Sequence, residues 1–130
     1  MFNITVDPLR KMLRVETSGL GTVEEVAAFA RQREATLDMQ GWRSGEFCML
    51  LNTIDNIAQP QDVMQALQNL LYDAPRKPHR LAVVKGGAVA GMQTRRVLTT
   101  DHAAHFATVV EAEEWLARCP PLAAGLEEAR

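Results

Sequence analysis

The order of residue patterns predicts an α/β fold, with an N-terminal hairpin and then alternating helices and strands on a mixed, mainly parallel sheet of about five strands. Three observations carry this. Two neighbouring segments alternate apolar and polar residues at period two. Short apolar runs follow at Glu46–Leu51, Leu81–Val84 and Phe106–Val109. Stretches with apolar residues at helical spacing separate these runs, which implies right-handed βαβ crossovers.

Phe2, Ile4 and Val6 alternate with Asn3, Thr5 and Asp7, the pattern of a half-buried strand. Asp7-Pro8-Leu9-Arg10 supplies turn chemistry, and Leu13, Val15 and Thr17 then mark the second strand. Gly19-Leu20-Gly21 ends it. In Thr22-Val23-Glu24-Glu25 the hydroxyl can cap a helix, with a glutamate three residues on. Val23, Val26, Ala27, Ala30 and Leu37 form that helix's apolar face, with Glu24, Glu25, Arg31, Arg33 and Glu34 predicted on the solvent side. The helix should end around Met39, before Gly41.

Glu46–Leu51 lies between turn signals and reads as a buried central strand. After a loop from Asn52 to Gln59, Pro60 suits the start of a helix with a stripe of Val63, Met64, Leu67, Leu70 and Leu71. Ala74-Pro75-Arg76-Lys77-Pro78 stops it, and Leu81–Val84 is the next strand. Lys85-Gly86-Gly87 leads into a helix predicted from about Ala88 to Thr99, with Arg95 and Arg96 near its end. A short strand over Phe106–Val109 and a helix over Glu111–Arg118, with Trp115 and Leu116 inward, complete the pattern. Residues 1–118 read as one domain and 119–130 as a tail expected to fray.

Composition narrows the function classes. With 130 residues, 47% of them hydrophobic, the chain is long enough to bury a core without staples. A net charge of −2 argues against a dedicated nucleic-acid binder, which carries a basic face. No signal-peptide pattern and no long apolar run occur, so a transmembrane segment is not expected and a cytoplasmic location is. Cys48, inside an apolar strand, reads as a small buried hydrophobe, and Cys119 precedes two prolines, so a disulfide is not expected. Neither a metal nor a cofactor is implied.

From roughly Phe2 to Leu116 the element order, together with the closing phrase Phe106-Ala107-Thr108-Val109-Val110-Glu111-Ala112-Glu113-Glu114-Trp115-Leu116, resembles the SpoIIAA-like group of the STAS superfamily. That resemblance implies a binding or regulatory domain acting through protein contacts rather than an enzyme. Anti-sigma-factor antagonists of the superfamily carry a phosphorylatable serine in a D-S-S-G-like loop after a core strand. The matching segment here, Asn52 to Gln59, contains no serine, and Thr53 is its only hydroxyl and so the weak candidate phosphoacceptor. The group also resembles the lipid-binding CRAL-TRIO fold in topology, which implies a second reading, a carrier with an apolar pocket for a small molecule or lipid.

Ligands of open α/β sheets tend to sit beyond the C-terminal ends of parallel strands. If Glu46–Leu51 and Leu81–Val84 are neighbouring parallel strands, one rim gathers Asn52, Thr53, Asp55, Lys85, Gly86 and Gly87 as a candidate binding site. Backbone N–H groups at Gly86-Gly87 could hold an anion beside Lys85, although a strand-to-helix turn takes glycine for its geometry alone. His102, His105 and Asp101 are the nearest approach to a metal set, and surface or strand-edge histidines are the simpler reading. A small enzyme built on them ranks lowest, since no nucleophile elbow or carboxylate pair is recognisable. Arg76-Lys77-Pro78-His79-Arg80 reads as a solvated connector, with an acidic partner or anionic lipid surface as its alternative. Self-association into a homo-oligomer stays open.

Overall fold

In the computed structural model, which describes residues 1–19, 21–56, 59–86, 92 and 102–118, the order of elements follows from the patterning. It runs β1 (Phe2–Asp7), β2 (Met12–Thr17), α1 (Val23–Gln40), β3 (Cys48–Asn52), α2 (Gln61–Asp73), β4 (Leu81–Val84), β5 (Ala103–Phe106) and α3 (Val109–Arg118). The strands form one five-stranded sheet in sequence order, β1-β2-β3-β4-β5. β1 is antiparallel to β2, and every later pair is parallel.

Side-chain alternation along the strands divides the core into two layers. Leu13 and Val15, Met49 and Leu51, and Leu81 and Val83 face α1 and α2, where they meet Val26, Phe29, Leu37 and Val63. Met12, Cys48, Leu50, Ala82 and Val84 face the other way, onto Ala112 and Leu116 of α3. β3 and β4 are thus apolar on both faces, which is why they read as continuous runs, whereas β2 keeps Arg14 and Glu16 on the second face and alternates.

Caps and turns hold these elements as their residues dictate. Thr22 accepts from the Glu25 amide at 3.1 Å, and Gly41 closes α1 with a left-handed φ of 70°. The Asp7 carboxylate accepts from the Arg10 amide in the β1–β2 turn. No helix among the described residues is long and apolar enough to cross a membrane.

Several expectations need correction. The last strand is Ala103–Phe106, not Phe106–Val109, and His105 lies within it opposite Val83 rather than in a preceding loop. Thr108 and Val109 look like strand residues because they are β-branched. Yet Thr108 accepts from the Glu111 amide and donates to the Glu111 carboxylate, a capping box that starts α3 at Val109. β3 is shifted as well. Phe47 is fully buried, but the Lys11 carbonyl accepts the first ladder-side bond from Cys48, and Asn52 joins at the far end.

On α1, Val23 and Ala27 are exposed while Phe29 and Arg33 are buried. Arg33 is 1% exposed, pairs with Glu34 at 2.6 Å, donates to the Arg76 carbonyl at 2.8 Å and lies over the Phe47 ring. The solvent side was the wrong placement because these partners replace water around the guanidinium. The predicted helix over Ala88–Thr99 lies outside the described residues except for the exposed Met92.

Candidate functional site

β3 and β4 are parallel neighbours, with Asn52 opposite Val84. Their C-terminal ends therefore set Asn52 and Thr53 beside Val84, with Asp55 in the turn after β3 and Lys85 and Gly86 following β4. Gly87 lies outside the described residues. The tie between the two ends is Thr53. Its amide donates to the Val84 carbonyl at 3.0 Å, and its hydroxyl donates to the same oxygen. Asn52 turns back on the loop, accepting from the Ile54 amide at 3.1 Å, and the Asn56 amide donates to the Thr53 carbonyl at 2.9 Å.

These contacts sort the rim residues by role. Thr53 is only 2% exposed, so a kinase reaches its hydroxyl only if this end of β3 opens. Asp55 is exposed, and Asn52, Lys85 and Gly86 are half-buried. The Lys85 amide is already donated to the Phe106 carbonyl at 2.9 Å, so this N–H is not open to a partner. Asn56 was not singled out by sequence, yet its Oδ1 is buried with no hydrogen-bond partner. A buried acceptor of this kind is one that a water or a partner's donor satisfies.

A second feature lies at the opposite ends of the strands, under α3. Arg10, Met12, Cys48, Glu113, Leu116 and Ala117 line a groove of about 410 Å³. Its floor is apolar, and its mouth is crossed by Glu113, which holds Arg10 at 3.0 Å and Arg14 at 3.1 Å. No spacing rule could have paired Glu113 with a hairpin about a hundred residues earlier; only the fold brings them together.

The basic run from Arg76 to Arg80 is largely consumed by the fold. Arg76 binds Glu34 at 3.0 Å and Asp38 at 2.7 Å, and Arg80 stacks 4.4 Å from the Trp115 ring while donating to the Trp115 carbonyl. Burial lowers the pKa of Arg33 against the pull of Glu34. For Arg76, desolvation is outweighed by the hydrogen bonds and charges of Asp38 and Glu34, and its pKa rises. Both stay cationic at any ordinary pH. Of this run, Lys77 remains exposed.

Among the described residues no group of three or more His, Cys, Asp or Glu side chains is placed to hold a metal ion. His102 is exposed, and Asp101 lies outside the described residues. Cys48 is 2% exposed, the buried setting expected of it. No protein-family model matches the chain, and no curated protein matches it.

Proposed function

We propose that this chain is a SpoIIAA-like STAS domain that works by binding, with a protein partner engaging the rim at the ends of β3 and β4. The observation that carries the reading is the parallel pairing of β3 with β4, whose ends are followed by Asp55 on one side and Lys85 on the other, with the buried Asn56 Oδ1 unpartnered in the same turn. The order of strands, with β1 alone antiparallel, is in keeping with it. Thr53 serves this rim as the clasp between strands, and the exposed Asp55 carboxylate and half-buried Lys85 ammonium give a partner opposite charges to match.

The test is affinity capture with the wild-type chain, an Asp55→Ala/Lys85→Ala variant and a Glu113→Ala variant. A specific partner should be retained by wild type and Glu113→Ala and lost by the rim variant. Equal capture by all three would sink the reading, as would no capture by any.

The groove under α3 favours a second reading, a carrier for a small apolar molecule. Its volume falls within the range of small-molecule sites, roughly 300–1,000 Å³. Native mass spectrometry of freshly purified protein should then show a mass adduct that unfolding releases. A bare chain mass under native conditions counts against the carrier.

A further inference from the structure

We propose that two copies of this chain pair through the outer edge of β1, antiparallel about Ile4, to form a homodimer with one continuous sheet. The proposal stands apart from the rim reading and rests on the backbone of the edge strand. Among the described residues β1 ends the sheet, and its one ladder is to β2. The Ser18 amide donates to the Met1 carbonyl, so the pairs in phase with it, Asn3–Glu16 and Thr5–Arg14, point their backbone groups inward at β2. Hydrogen-bonded and non-bonded pairs alternate along an antiparallel ladder. The N–H and C=O groups of Phe2, Ile4 and Val6 therefore point out of the sheet.

Exposed edges are normally blunted by lysine, proline, a bulge or an inward charge. From Phe2 to Val6 there is none of these. The strand is uncharged, and its register with β2 runs residue for residue without a bulge. The Met1 ammonium just before the strand is paired with Glu25 at 2.6 Å, and the first side-chain charge and the first proline, Asp7 and Pro8, come only where the strand ends.

The same five residues fit a second copy of themselves. Centred on Ile4, antiparallel pairing sets Phe2 of one copy opposite Val6 of the other, and Ile4 opposite Ile4. Each such pair exchanges both of its outward bonds. Phe2, Ile4 and Val6 are only partly buried against the core, so the pairing completes their cover on that face. On the other face, the exposed Asn3 meets Thr5, and no like charges are brought together. This match of neutral to neutral and apolar to apolar is why the occupant is a copy of the chain rather than a charged peptide.

Sedimentation velocity over a concentration series, combined with amide exchange by NMR, tests the proposal. Wild type should pass from monomer to dimer as concentration rises. Asn3→Lys with Thr5→Lys sets cations opposite each other twice across the interface and should weaken association by about tenfold. Asn3→Lys with Thr5→Glu sets opposite charges there and should keep it. Circular dichroism checks that both variants fold. In wild type the amides of Phe2, Ile4 and Val6 should exchange more slowly at high concentration, a readout that needs no variant. A wild type that stays monomeric, a double-lysine variant that folds and associates as wild type does, or edge amides indifferent to concentration would each overturn the proposal.

Discussion

Arg33 shows how a single residue departs from its pattern. Its place among charged neighbours on α1 reads as solvent-facing, because periodicity weighs type and spacing but not what lies opposite. The deciding partners are Phe47, the Arg76 carbonyl and Glu34, two of them outside α1. Glu34 also binds Arg76 and is itself 27% exposed, so it is not stranded when Arg33 is removed. A buried ion pair often gains little over a hydrophobic side chain of similar size. Arg33→Met should accordingly shift stability by no more than about 1 kcal/mol. Arg33→Ala leaves a cavity and should cost about 3 kcal/mol. Urea unfolding of the two variants gives the comparison, and equal losses would mean that the charge rather than the volume is what matters. The buried Thr53 hydroxyl was equally invisible in advance, since exposure of a loop residue depends on the strand ends around it.

At the scale of elements, legibility follows how local the signal is. The hairpin, α1 and α2 were readable because the period of each, and for α1 its cap, lies within the segment. Thr22 caps α1 as its spacing to Glu25 predicts. The miss at β5 has an equally local cause, a conflict between two signals. Thr108 and Val109 have strand propensity, but Thr108-Val109-Val110-Glu111 is also a capping box, and the cap prevails. Ala103 and Ala104 are weak strand formers, held in β5 by pairing with Leu81 and Ala82. Thr108→Ala should cost about 1 kcal/mol and fray the first turn of α3. Thermal melting with amide exchange at Glu111 and Ala112 checks both effects; unchanged exchange there would remove the cap from the account of α3.

For the whole molecule, the mixed sheet and the pairing of β3 with β4 were legible because each central strand is a short apolar run between turn signals. That adjacency sets the C-terminal ends of β3 and β4 side by side. The groove under α3 was not legible, because it is lined by Arg10, Met12 and Cys48 together with Glu113 and Leu116, which no sequence window contains together. Cys48 reports on this layer directly. In a Cys119→Ser background its thiol should react with an aromatic disulfide far more slowly in the folded protein than in urea. Glu113→Ala, which loosens α3 from the hairpin, should speed the reaction without matching the unfolded rate. Labelling of the native protein at the unfolded rate would show that α3 does not shield the thiol.

The covering of Leu50, Ala82 and Val84 by α3 also sets a condition on how the chain is made. Of the described helices, α3 alone lies on that face, yet it ends at Arg118, more than thirty residues after β4. At roughly 5–20 residues per second, synthesis leaves the finished strands without this helix for a few seconds. During that interval a nascent chain presents a bare apolar sheet surface beside an open β1 edge, the state in which holding by a chaperone protects it most.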